Sequence, residues 1–290
     1  MPFPKDVRVI DLMVNIPADE LDTPGNTFLR PLQRDEESLK AFRMPAQYLF
    51  KNIPSLGADP TKFVDAVVAE MDKYNVGQAL IPLGDALRDP EIKARFADRF
   101  CFSLAVNPAK GMEEVRRIRQ AKQDHDIKAL TFFPAASIPQ VAIDEKEMYP
   151  IYATAIDLDI PIVVNVGVPG PRIPMRCQKV ELVDEVCWFF PELKFVMRHG
   201  GEPWEDLAVK LMLKYPNLYY ATSAFAPKHY PKAIVDYANK RGADKIMYAG
   251  YFPAGLSLER IFSELQGVPF KDEVWPKFLR ENAARVFKLG

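Results

Sequence analysis

The sequence predicts a (β/α)8 (TIM) barrel, somewhat distorted, with a long loop after its first strand and an extra helix at its C-terminal end. Three observations predict it. From residue 58 onward, short apolar runs alternate with helical stretches, the pattern of strands covered on both faces. With VIDLMVN at residues 9–15 taken first, the apolar runs number eight. The turn that follows, within VIDLMVNIPADE, has no glycine, whereas an open doubly wound sheet wants a Gly-rich first turn. Eight strands with helical crossovers in 290 residues fit a closed barrel, expected as one domain over 1–290.

The elements follow in order. In VIDLMVN, strict alternation puts Val9, Asp11, Met13 and Asn15 on one face, read as the inward one, and Ile10, Leu12 and Val14 on the other. Residues 16–57 are irregular, and a long loop there would sit over the barrel mouth as a lid, or else form a surface loop or dimer contact. Helix DPTKFVDAVVAEMDKY then leads to strand QALIPL, and DPEIKARFAD leads to FCFSLAVNP. GMEEVRRIRQAKQ leads to IKALTFFP, and EKEMYPIYATAIDLD to IPIVVNVG. QKVELVDEVCWFF leads to KFVMRHGG, PWEDLAVKLMLKY to NLYYATSA, and PKAIVDYANKR to KIMYAGYF. SLERIFSEL and EVWPKFLRENAARVFKL close the chain.

Composition narrows the function. With 38 basic and 39 acidic residues the net charge is -1, which gives no footprint for nucleic acid or a charged membrane. Three cysteines without tight spacing argue against a disulfide framework and a zinc ribbon. No apolar run is long enough to span a bilayer. The start, MPFPKDVRVID, has no basic segment followed by an apolar one, so a cytoplasmic setting is the expectation.

A barrel places chemistry at the C-terminal ends of its strands. Those ends carry Met13 and Asn15, Asn107, Thr131 and Phe133, Asn165 and Gly167, His199, Thr222 and Ser223, and Gly250 with Tyr251. Of the three histidines, His125 lies in polar KQDHD and reads as solvated, while His229 in APKHYP could line the mouth. His199 caps an apolar strand ahead of Gly-Gly and a helix start, and its ordinary pKa suits acid or base work. GVPGPRIPMRCQK puts Arg172 and Arg176 beyond strand five, where guanidinium could hold a carboxylate. Arg198 precedes His199, so alternation is expected to turn it away from the barrel axis. Glu202 and Trp204 could wall the site.

From residue 7 to 289 the chain resembles the amidohydrolase superfamily, in its aminocarboxymuconate-semialdehyde decarboxylase-like branch. The segments that carry the resemblance are VRVIDLMVN, IKALTFFP, YPIYATAIDLDIPIVVNVG, FPELKFVMRHGGEPWEDL, YPNLYYATSA, DKIMYAGYFPAGLSLERI and ENAARVFKL. The resemblance implies a metal-binding barrel of hydrolases and decarboxylases. Its His-x-His positions, however, read Met13 and Asn15 here; its strand-five histidine falls on Asn165, its strand-eight aspartate on Tyr251 and its strand-four lysine on Thr131. Only the strand-six histidine remains, as His199. Amide oxygens, a thioether and a neutral phenol are poor donors for zinc or manganese, so no metal and no other cofactor is expected.

The expected function is therefore metal-independent hydrolysis of a lactone, ester or amide-like bond in a small carboxylated compound. The lactonase members of the branch supply a precedent for metal-free work. Asn15 and Asn165 would polarise the carbonyl, His199 would activate water or give a proton, and Tyr251 would be the second proton carrier. Arg172, Arg176, Ser223, Glu202 and His229 complete the expected substrate-binding set. The alternatives are a decarboxylase or lyase of the same family, or a degenerate barrel acting as a partner protein. A small anionic substrate and a homodimer are expected, with no nucleic acid and no membrane partner.

Overall fold

The computed structural model describes residues 3–4, 6–18, 27–40, 44, 46–50, 52–57 and 59–290. Eight parallel strands run in chain order: β1 Val9–Asp11, β2 Val76–Pro82, β3 Phe100–Ala105, β4 Ala129–Phe132, β5 Ile162–Asn165, β6 Phe195–Arg198, β7 Leu218–Ala221 and β8 Ile246–Met247. Each pairs with its neighbours in sequence, so the sheet order is β1 through β8 with helical crossovers between. This is the (β/α)8 barrel that the alternating pattern predicts.

The helices form because each has one apolar stripe for the sheet. Phe63–Lys73 buries Phe63, Val64, Val67, Val68 and Met71, with Asp65 in its first turn and Lys73 in its last, matching the helix dipole. Leu258–Leu265 is capped by Ser257, whose side chain accepts from the Arg260 N–H, and buries Leu258, Ile261, Phe262 and Leu265. Such stripes pack on the outward residues of the strands, among them Ala79, Ile81, Leu130, Ile162, Val164, Phe195 and Met197. A second cluster fills the barrel itself: Ile10, Leu12, Leu80, Cys101, Ala129, Val163, Val196, Tyr219, Met247 and Ala249. The extra C-terminal helix, Asn282–Phe287, joins this inner cluster through Ala283, Val286 and Phe287. Asn282 fixes it at the strands' N-terminal end, donating to the Ala243 and Ile246 carbonyls at 2.7 and 2.9 Å. The bottom of the barrel is thus plugged, and the opposite end is left for a site. No described helix is long and apolar enough to cross a membrane.

Closure between β8 and β1 takes no extended ladder. One bridge pairs Val14 with Phe252, and the Asn15 N–H donates to the Phe252 carbonyl at 3.1 Å. Asp11 supplies the firmer link. It is fully buried, and its Oδ1 accepts from the Gly250 N–H at 2.8 Å and from the Met13 N–H at 2.9 Å. The contact with Met13 bends the chain at Leu12, and this overturns the single inward face expected for Val9, Asp11, Met13 and Asn15. Val9 belongs to the outer core, and Asp11 lies with Tyr248, whose ring packs on the helix-layer residues Phe262 and Phe278. Ile10 and Leu12 are the inward residues. Beyond the bend the phase changes: Met13 packs on the inner cluster, Val14 and Ile16 on the outer one, and alternation returns Asn15 to the inside.

Burial pushes the Asp11 carboxyl up to about 6, against the pull of its bonds to Gly250 and Met13. Its Oδ2 and the Tyr248 hydroxyl flank the same face of Gly250 without completing a hydrogen bond of good geometry. A folded-state pKa above the unfolded value means that the native protein holds this proton more tightly. The stability Asp11 contributes is full below about pH 4 and falls as pH rises through about 6. Asp11→Asn keeps the acceptor for both N–H groups and removes the charge. Chemical denaturation should find the variant close to wild type at pH 4, and ahead by about 2–3 kcal/mol at pH 7.5. A pH-independent gap would contradict the assignment.

Candidate functional site

The site is built from the ends of β5 to β8. Asn165 and Arg198 sit opposite each other in the β5–β6 register. Val196 points into the barrel, so alternation carries Arg198 inward as well, where its Nε donates to Asn165 Oδ1. The expectation that Arg198 turns away from the axis is therefore corrected. That reasoning took His199 as inward and counted back. His199 should point out on strict alternation, but its backbone is left-handed, with φ of 67°. This turn brings its ring back beside Tyr251, with centroids 5.8 Å apart in an edge-on arrangement. Its Nδ1 lies 3.0 Å from the Ser223 hydroxyl. Ser223 is fully buried, and the next residue, Ala224, has φ of 71°. Tyr251 is also strained, with φ of 149°. Three non-glycine residues in rare backbone conformations thus mark the ends of β6, β7 and β8, which is where such strain accompanies function.

Electrostatics sort these groups. Arg198, His199 and Tyr251 are half-buried at the ends of β6 and β8. Burial, and then the neighbouring Arg198 charge, depress the His199 pKa to about 3, with the Ser223 contact opposing. Burial lowers Arg198 to about 10, leaving it cationic at neutral pH. Tyr251 is raised to about 12 by burial, with Arg198 pulling the other way. Near pH 7 the cluster holds one guanidinium cation, one neutral imidazole and one neutral phenol.

The other expected residues lie around this cluster. Asn15 reaches the same end beside Phe252, and its Oδ1 is buried without a hydrogen-bond partner. Glu202 and His229 are exposed at the rim; partial burial, with Glu205 adding repulsion, holds the Glu202 carboxyl above its ordinary range, and His229 opposes. Arg176 is exposed on the loop after β5. Arg172 is engaged elsewhere, pairing with Asp35 and Glu37 at 2.7 Å each and lying 4.5 Å over the Tyr48 ring. Asn107 caps a short turn, accepting from the Ala109 N–H at 3.1 Å, and Trp204 packs on the outer core.

Described parts of the loop after β1 pack against the strand ends. Phe50 packs on Tyr251 at 5.9 Å between centroids, Tyr48 donates to the Gly170 carbonyl, and Arg172 ties the segment down. Residues 19–26, 41–43, 45 and 51 of that loop lie outside the described residues. An open recess of about 700 Å³ runs between the loop after β1 and the β5 loop, lined by Leu32, Arg34, Tyr48, Val168, Pro171 and Arg172. It lies on the rim and does not include the His199 cluster.

Sequence reasoning missed two supports. Gln178 is buried; its Nε2 donates to the Gly167 carbonyl at 2.9 Å and its Oε1 accepts from the Ala135 N–H at 3.2 Å. Nothing in the local sequence marks it, because both partners are distant backbone groups. Phe50 is the other, and its contact with Tyr251 is likewise tertiary. Gly167 stands at the end of β5. Its φ is 90°, and a Cβ there would lie 2.7 Å from the Gly201 backbone, so the β5 and β6 loops interlock only with glycine.

These residues do not fit a divalent metal. Among the described residues no three His, Cys, Asp or Glu side chains converge. Asn165 Oδ1 is spent on Arg198, and a guanidinium charge beside His199 would repel a cation.

An amidohydrolase family model matches residues 51–289. The chain belongs to the amidohydrolase family. No curated protein matches it at the sequence level. Among solved structures, this chain is similar to an uncharacterized TIM-barrel protein from Bordetella bronchiseptica, with 20% identity, a TM-score of 0.73, and 97% of this chain and 98% of that one covered. It is also similar to 5-carboxyvanillate decarboxylase from Novosphingobium aromaticivorans, solved with bound manganese and 3-methoxy-4-hydroxy-5-nitrobenzoic acid, at 16% identity, 98% coverage of both chains and a TM-score of 0.67. A third, 4-oxalomesaconate hydratase from Rhodopseudomonas palustris, shares 14% identity over 97% of this chain and 95% of that one, with a TM-score of 0.62. At these identities the likeness is one of fold.

The His199 environment has a spectroscopic consequence. Nitrogen-resolved NMR of the imidazoles should show His199 neutral throughout pH 5 to 8, since its pKa lies near 3. An imidazolium at pH 6 would contradict this picture of the site.

Proposed function

We propose that this amidohydrolase hydrolyses a lactone, ester or amide-like bond in a small carboxylated compound without a metal ion. The observation that carries the reading is the His199 ring, held by Ser223 at 3.0 Å and set against Tyr251 at the barrel mouth. If the imidazole donates from Nδ1 to the Ser223 hydroxyl, its Nε2 is left as an acceptor for a water proton. Ser223 is too buried to attack a substrate, so it is a positioning residue. Water oxygen adds to the carbonyl carbon as its proton passes to Nε2, and the same proton then goes to the leaving oxygen or nitrogen. The Tyr251 phenol, uncharged because its pKa is raised, donates a hydrogen bond to the oxyanion, and Asn15 borders the same space. A resting pKa near 3 makes His199 a weak base. A bound anion would offset the Arg198 charge and strengthen it, linking turnover to a carboxylated substrate. Arg176, Glu202 and His229 stand at the rim, where they would meet the distal part of a substrate. Arg172 ties the loop after β1 to the β5 loop through Asp35 and Glu37.

A second reading is decarboxylation. It is favoured by the fold neighbours, which include 5-carboxyvanillate and 2,6-dihydroxybenzoate decarboxylases. Carbon dioxide release from carboxylated phenols, set against acid release from carboxylated lactones and esters, separates the two. On a lactone or ester substrate, His199→Asn should lower kcat by about 10²–10⁴-fold and Tyr251→Phe by about 10²-fold, with both variants folded by circular dichroism. Full activity in His199→Asn would end the hydrolytic proposal.

A further inference from the structure

Arg198 differs from the other arginines that the fold draws in. Arg99, whose side chain is 13% exposed, pairs with Asp72 at 2.8 Å and donates to the Gly77 and Val76 carbonyls. Arg117 pairs with the fully buried Glu114. Arg88 pairs with Asp85 and donates to the Ile16 carbonyl. Arg172 holds two carboxylates. The hydrogen bond that Arg198 makes is to a neutral amide, Asn165, through Nε. Among the described residues no carboxylate comes within 4 Å of it, and its two terminal nitrogens have no hydrogen-bond partner. A guanidinium has five N–H donors, and here four remain unspent. Arg198 is half-buried, and its unspent terminal nitrogens are not sealed from the surface, so an incoming anion can reach a guanidinium that the chain has not paired.

We infer that Arg198 is the anion-binding group of this site, taking one carboxylate of the substrate through its terminal nitrogens while Asn165 holds the guanidinium in place. The inference deepens the proposed function and rests on it for the carboxylated nature of the substrate. With Nε fixed, the remaining fork suits a carboxylate in two-point contact. The location agrees, since Arg198 precedes His199 in sequence and its charge acts on both His199 and Tyr251. The loop after β1 agrees too: Phe50 packs on Tyr251, so the body of the ligand meets aromatic faces while its charged end meets Arg198. A small, flat, apolar body with one carboxylate is the matching chemistry. Arg172, the arginine that the sequence favoured for this role, already has its charge met by Asp35 and Glu37.

The test is direct binding, read by calorimetry on the intact protein, with benzoate as the probe and uncharged benzamide as its isostere. Wild type should bind benzoate at least about tenfold more tightly than benzamide. Arg198→Met should abolish that preference, Arg198→Lys should keep part of it, and Arg172→Met should keep all of it. Asn165→Ala should weaken benzoate binding less than Arg198→Met does. Thermal melting separates this from misfolding, because removing an unpaired charge should leave Arg198→Met at or above the wild-type Tm; Arg198→Gln is the second variant if it falls. Benzoate failing to bind wild type, or binding Arg198→Met unchanged, overturns the inference, as does loss confined to Arg172→Met. Because no turnover is measured, a protein that binds benzoate through Arg198 but opens no lactone would defeat the hydrolytic reading and leave this one standing.

Discussion

The Asp11 carboxylate is the contact on which the rest of the mouth depends. One oxygen accepts from Gly250 on β8 and from Met13 just past β1. The first bond draws the last strand to the first, where no continuous ladder forms. The second bends the chain after β1, and that bend reverses which residues face inward. Without it Met13 and Asn15 would point at the helix layer. Glycine at 250 is the other half of this clasp, since a Cβ there would lie 2.5 Å from Asp11 Oδ2. The carboxylate is fully buried and accepts two backbone donors, so the fold spends an ionisable group on geometry. Charge burial sets its pKa; hydrogen bonding sets its place.

The same end of the barrel stores strain. His199, Ala224 and Tyr251 adopt backbone conformations that favour glycine. Such residues persist only where surrounding contacts over-determine them. Here those contacts are visible. Gly167 fits against the Gly201 backbone, Gln178 ties the β5 loop to the turn after β4, and Ser223 meets His199. These supports come from the β5 loop and the end of β7, and Ser223 holds the His199 ring before any ligand arrives. Pre-organisation of this sort is what lets uncharged groups stabilise a developing charge.

Charge sets the chemistry within that frame. A cation is present in the cluster as the Arg198 side chain, and this decides both what the site repels and what it attracts. It lowers the basicity of His199, adding to the larger effect of burial, and eases ionisation of Tyr251, where burial outweighs it. The loop after β1 sets Phe50 on Tyr251, and its Asp35 and Glu37 pair with Arg172. Two arginines near one mouth thus have opposite fates, one neutralised by its own chain and one left open.

Much of the fold was legible because its signals are local and repeated. Apolar runs alternating with amphipathic stretches predict the eight strands, and the missing glycine-rich turn argues for closure. The barrel then places His199, Ser223, Asn165 and Tyr251 at strand ends, and these were readable from position alone. Periodicity failed at Arg198 and in β1, for one reason. Alternation holds only while the backbone stays extended, and neither the left-handed turn at His199 nor the bend at Leu12 has a distinct local signature. Gln178 and Phe50 were hidden because their partners lie far away in sequence. The sequence by itself determined the architecture and the types of group at the mouth. Only the tertiary structure decided which of them face one another, because that depends on a few rare backbone angles and on which charges the chain has already paired.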